Sequence, residues 1–172
     1  MATGRRVYII GFMGSGKSTV GKRLASNLGW KFLDLDKQIE HKAGQLIKNI
    51  FSSFGEDYFR RIEAETLLNL KIMEDTVIST GGGTPCFGKN MDFMMTSGLV
   101  VYLKMTPGQL KSRLEGLTTD RPLIHNLTPQ ELLKYISDKL SEREEYYLKA
   151  PLIVDGKNLD IRTLSYMISD RL

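Results

Sequence analysis

The sequence predicts an α/β fold, with a parallel sheet covered by helices on both faces. Three observations carry that expectation. Short β-branched runs alternate with stretches of 3.6-residue apolar spacing. A glycine-rich loop joins the first such run to the first such stretch. The 172 residues suffice for one domain burying roughly 70% of its unfolded surface, and are too few for two. Alternation favours parallel pairing because each crossover helix must cover a sheet face.

Five strands are read in order. They are RVYII within residues 5–10, KFLDL at 31–35, DTVIST at 75–80, LVVYLKM at 99–105 and PLIVD at 151–155. Val20, Leu24 and Leu28 mark the first helix, which Gly29 ends as a left-handed cap. Leu132, Leu133, Ile136 and Leu140 mark a later one, with Thr128 as N-cap and Pro129 in its first turn ahead of Glu131. Between two helices lies EGLTTDRPLIHNL, residues 115–127, with no clear period. An exposed connection and a mobile lid over an active site weigh equally there. Met91, Met94 and Met95 read as core filler, Trp30 as packing at the end of the first helix, and His41 and His125 as surface or lid residues.

Lysine and arginine number 24 against 20 acidic residues, a net charge of +4 with no block of like charge. That balance argues against a nucleic-acid partner and suits anionic small molecules. One cysteine, Cys86, excludes an internal disulfide, and with two histidines it cannot complete a structural zinc site. No window approaches the ~20 apolar residues of a membrane span, and VYIIGF is too short for a secretory core, so a cytoplasmic protein without a membrane partner is expected. Without a long apolar stripe or heptad, a monomer is the default.

The chemistry begins at Gly11–Ser18, GFMGSGKS, which matches G-x-x-x-x-G-K-[ST] between strand and helix. Gly11, Gly14 and Gly16 permit a tight backbone, so that N–H groups from Gly14 through Ser15 and Gly16 to Ser18 can converge on phosphate at the positive end of the helix. Lys17 reaches the β- and γ-phosphates, Ser18 offers a hydroxyl to Mg²⁺, and Thr19 bonds the α-phosphate. The ligand is a nucleoside triphosphate, most simply ATP as co-substrate.

Three further clusters bear on the acceptor. In DLDKQIE, Asp34 and Asp36 follow the second strand at the end where such sheets open to ligands. Alternation along an extended chain would turn one carboxylate to the metal and the other to the acceptor; the competing reading makes Asp36 a helix cap and Asp34 a solvated side chain. In FRRIE, Arg60 and Glu63 are spaced to pair on a helix, as a functional pair or an ordinary surface one. Gly81, Gly82 and Gly83 after the third strand give either a bare backbone that a ligand can approach or a tight turn.

In combination, GFMGSGKST, DLD, FRRIE, TGGG and DRPL resemble the shikimate kinase family in order and spacing over essentially the whole chain. The resemblance implies a P-loop NTPase of the nucleoside-monophosphate-kinase type, in which a five-stranded parallel sheet carries an acceptor-binding region at about 34–63 and a lid at about 115–127. It implies ATP-dependent phosphorylation of shikimate, with Mg²⁺. Lys17 and Ser18 then hold ATP and metal, with Asp34 near the metal. Asp36 holds the acceptor hydroxyls and acts as or orients the base. Arg60, Gly81, Gly82, Gly83 and Arg143 contact shikimate, and Glu63 orients Arg60. Arg121 reaches the transferring phosphate from the lid, and Arg113 lies against adenine. Arg143 and Tyr147 keep an R-x-P-L-Y pattern in which Glu145 stands in place of proline.

Phosphoryl transfer needs positioning, charge neutralisation and an oriented nucleophile, roles that Lys17, Mg²⁺, Arg121 and Asp36 can fill without a raised proton affinity at Asp36. Two arginines, Asp36 and three glycines favour a hydroxylated carboxylic acid over a nucleotide as acceptor, with another P-loop kinase such as a gluconate kinase as the nearest rival. The presence of both Asp36 and Arg121 argues against an idle ATP-binding module.

Overall fold

The computed structural model describes residues 5–115, 117 and 123–172. Strand β1 (Arg6–Ile10) is central in a sheet of order β2-β3-β1-β4-β5, and every pairing is parallel. Its partners are β2 (Lys31–Asp34), β3 (Thr76–Ser79), β4 (Leu99–Lys104) and β5 (Leu152–Asp155). Around them run α1 (Lys17–Leu28), α2 (Leu35–Ala43), α3 (Ile47–Phe54), α4 (Glu56–Asn69), α5 (Asn90–Ser97), α6 (Pro107–Glu115), α7 (Pro129–Tyr147) and α8 (Ile161–Ser169). Each strand falls within one residue of its expected bounds, because every run is closed by residues that leave the pleat.

The two-residue period of β1 divides the core. Tyr8 and Ile10 join Ile78, Val100 and Tyr102 under Ile39, Leu67, Met94 and Ile136. Val7 and Ile9 join Val77, Val101 and Leu103 over Leu24, Leu164 and Ile168. All five residues of β1 are buried, as a strand paired on both edges and covered on both faces must be. From β1 the chain crosses by α1 on one face to β2; from β3 it crosses by α5 on the other face to β4. The connections part at the carboxyl ends of β1 and β3, which opens a crevice there.

Gly29 caps α1 at φ 69°, and Thr128 and Glu131 close a reciprocal capping box at the start of α7, with Pro129 in its first turn. Met91 and Met94 are buried and Met95 is exposed; Trp30 packs on the second cluster, and His41 and His125 are exposed. Arg121, with 116 and 118–122 of the proposed lid, lies outside the described residues. The end of that segment is anchored, since Ile124 is buried in the first cluster. Among the described residues, no helix is long and apolar enough to cross a membrane.

Candidate active site

The glycine loop leaves β1 and turns into α1 through Gly16, whose φ of 90° is left-handed. No side chain caps α1, so its first N–H groups are left for an anion in the crevice. Lys17 is buried and folds back over the loop, its Nζ donating to the Phe12 carbonyl at 3.0 Å. Arg113 meets this loop from α6, donating from Nη1 to the Ser15 carbonyl at 3.1 Å and from Nη2 to the Gly156 carbonyl at 3.4 Å. A cavity of about 610 Å³ opens beside them, lined among others by Gly14, Gly16, Lys17, Ser18, Thr19, Asp34, Asp36, Gly81, Gly82 and Arg113.

Ser18 Oγ donates to Asp34 Oδ2 at 2.7 Å and lies 3.3 Å from Ser79 Oγ. These hard oxygens, contributed next to a phosphate site, fit Mg²⁺, which takes few protein ligands and completes its shell with phosphate and water. Among the described residues no cluster of three or more histidine, cysteine or acidic side chains is arranged for a metal.

The DLD stretch departs from its sequence reading. Strand β2 ends at Asp34, so Asp36 does not alternate with it along an extended chain; it sits in the first turn of α2. The cap of α2 is Asp34, whose side chain accepts from the Lys37 N–H, and this removes the reading of Asp36 as the cap. Asp36 instead turns toward the glycines: a Cβ on Gly81 would lie 3.0 Å from Asp36 Oδ1. Burial, then the neighbouring Asp34 and Glu63 carboxylates, push the Asp36 carboxyl up to about 6 against the pull of Lys17. Asp34, two residues away, is a cause the sequence displays; the burial and the Glu63 carboxylate, which arrives from another helix, are not.

The FRRIE pair is not a surface pair. Glu63 is 1% exposed and accepts from Arg60 Nη1 at 2.9 Å, while Phe87 stacks on the guanidinium at 3.9 Å. A Cβ on Gly83 would lie 2.6 Å from Arg60 Nη2, and one on Gly82 would lie 3.2 Å from Arg143 Nη1. The three glycines are therefore the bare wall across which both guanidiniums approach. Arg143 comes from the end of α7, over the ring of Phe12. With Glu145 in place of proline the helix continues through Tyr147, whose hydroxyl donates to the Gly82 carbonyl at 2.5 Å. Sequence reasoning missed Ser79 beside Ser18, Phe87 under Arg60, and Thr84, whose Oγ1 donates to Glu63 at 2.8 Å. A hydroxyl directly after the triple glycine was the only available signal for Thr84. Burial pushes the Cys86 thiol up to about 11, which leaves it no nucleophile.

Comparison with known proteins identifies the family. The family model described as shikimate kinase matches residues 13–171. The chain is 40% identical over 168 residues to a shikimate kinase of Parabacteroides distasonis, covering 98% of this chain and 97% of that one. Its fold superposes with a TM-score of 0.90 on the crystal structure of shikimate kinase from Bacteroides thetaiotaomicron, at 34% identity and 97% coverage of both chains. A shikimate kinase from Acinetobacter baumannii, solved in complex with shikimate, superposes at 0.83 with 34% identity, over 98% of this chain and 93% of that one.

Proposed function

The chain belongs to the shikimate kinase family, and on that premise we propose that it transfers the γ-phosphoryl group of ATP to the 3-hydroxyl of shikimate. The product, shikimate 3-phosphate, serves chorismate and aromatic amino acid biosynthesis. The observation that carries the reading is the pair of guanidiniums, Arg60 and Arg143, facing one glycine wall with Asp36 at its other end. A hydroxylated carboxylate spans that wall, its acid on the arginines and its hydroxyl on Asp36.

The loop amides and Lys17 hold the phosphates of ATP in the crevice, and Arg113 braces the loop from α6 next to the nucleotide. Ser18 and Asp34 would hold Mg²⁺, which supplies charge neutralisation between the phosphate oxygens when bound. Asp36 accepts a hydrogen bond from the acceptor hydroxyl, fixes its lone pair toward the phosphorus, and takes its proton as the bond to oxygen forms. Its raised proton affinity makes it a stronger base that is still mostly ionised at neutral pH. Arg121, which lies outside the described residues, is assigned by the resemblance to stabilise the transferring group. The chain works as one domain and a cytoplasmic monomer, with residues 34–63 as its acceptor-binding region.

ATP turnover measured with shikimate, gluconate and nucleoside monophosphates as separate acceptors tests the reading. ADP release is expected with shikimate alone. A folded protein giving no shikimate-dependent release overturns it.

A further inference from the structure

We propose that Thr84 is a positioning residue for acceptor binding, whose hydroxyl holds Glu63 so that Glu63 aims Arg60. The proposal rests on the reading of Arg60 as a ligand of the acceptor carboxylate. Glu63 is 1% exposed, and its two oxygens have different partners: Oε1 takes Arg60 Nη1 at 2.9 Å and Oε2 takes Thr84 Oγ1 at 2.8 Å. A buried carboxylate with one oxygen unmet would turn to find a donor, and Arg60 would turn with it.

Thr84 is itself fixed from several directions. It is fully buried, its N–H donates to the Gly81 carbonyl at 3.2 Å, and its carbonyl accepts from Nδ2 of the buried Asn90 at 3.0 Å. Pro85 follows and restricts the backbone of the short turn Thr84–Cys86. The guanidinium of Arg60 is then set by a stacked ring on its face, Phe87 at 3.9 Å, and by Glu63 on its edge. Its bonds to Glu56 are long at 3.4 Å and exposed, so they define the plane poorly. A Cβ on Gly81 would lie 3.0 Å from both Thr84 Oγ1 and Asp36 Oδ1 and 3.5 Å from Glu63 Oε2, so the Thr84–Glu63 bond sits against the same glycine as the Asp36 carboxylate.

Thr84→Val removes the donor and keeps the shape. The shikimate KM should rise about tenfold, the scale of one hydrogen bond to a charged group, with ATP KM and kcat held within about twofold. Thr84→Ser should restore the shikimate KM. In an Arg60→Ala background the same Val substitution should add less than about twofold, because its effect runs through the missing guanidinium. An unchanged shikimate KM in folded Thr84→Val, an equal rise in ATP KM, or a full additive effect in the Arg60→Ala background each overturns the proposal. Arg60→Ala that leaves shikimate KM unchanged brings down the acceptor reading and the proposal together, whereas a rise there without one in Thr84→Val brings down the proposal alone. Should Val fail to fold, Thr84→Ala against Thr84→Ser reads the same quantities.

Discussion

Asp36 is useful to the reaction as a charge and unfavourable to the fold as one. Its carboxyl moves from 3.8 to about 6 on folding, so the folded chain binds this proton more tightly than the unfolded chain. Stability from this group is whole below about pH 4, declines as pH rises to about 6, and is level above. Asp36→Asn should therefore melt higher than wild type at pH 7.5, by about 1–2 kcal/mol after allowance for partial solvent access, and no higher at pH 4. Its kcat should fall by about 10² or more, and wild-type kcat/KM should decline as pH drops through 6; melting curves and a pH–rate profile check both. For Lys17→Ala the sheet is untouched and one bond to the Phe12 carbonyl is lost, so circular dichroism should stay native while most turnover disappears. Arg143→Ala should raise the shikimate KM by roughly one to two powers of ten, with ATP KM little changed, on the scale of a charge-assisted contact. Lys17 and Asp36 stand out in the sequence because phosphoryl transfer calls for their types next to a phosphate loop, whereas Arg143 is singled out only by the family resemblance. Asp36's orientation was not legible, since the chain turns helical one residue earlier than an extended reading allows and hands the cap to Asp34.

Elements were legible where their ends carry a physical stop. Gly29 in a left-handed cap and the Thr128–Glu131 box were readable because each meets backbone groups a helix end leaves open. The break between α3 and α4 was not, although Gly55 with φ 84° makes it, because apolar spacing runs on across it. Helix α7 shows what a well-defined end does for function: it starts on the capping box and delivers Arg143 and Tyr147 to the glycine wall at its far end. Thr128→Ala should cost about 1 kcal/mol of stability and leave the shikimate KM unchanged, because the frayed turn lies at the opposite end from Arg143. Chemical denaturation with steady-state kinetics on that variant separates the two effects.

At the scale of the whole molecule, the site is assembled at one end of the sheet, with the phosphate loop after β1, the Asp34 carboxylate at the end of β2 and the glycine wall after β3. Ligands join these parts and should be read in global stability: shikimate at a hundred times its Kd should stabilise wild type by about 2.7 kcal/mol. At that concentration Arg143→Ala should gain half of this or less in a thermal-shift titration. The strands beneath are unequal. β1 is buried in all five residues and paired on both sides, whereas β2 is an edge strand with no fully buried residue. Under heat or denaturant the margin carrying Asp34 and Asp36 should open before the centre carrying the phosphate loop. A molecule damaged in that order should still bind nucleotide after losing the carboxylate that aims the acceptor hydroxyl, so phosphoryl transfer should fail before nucleotide binding does.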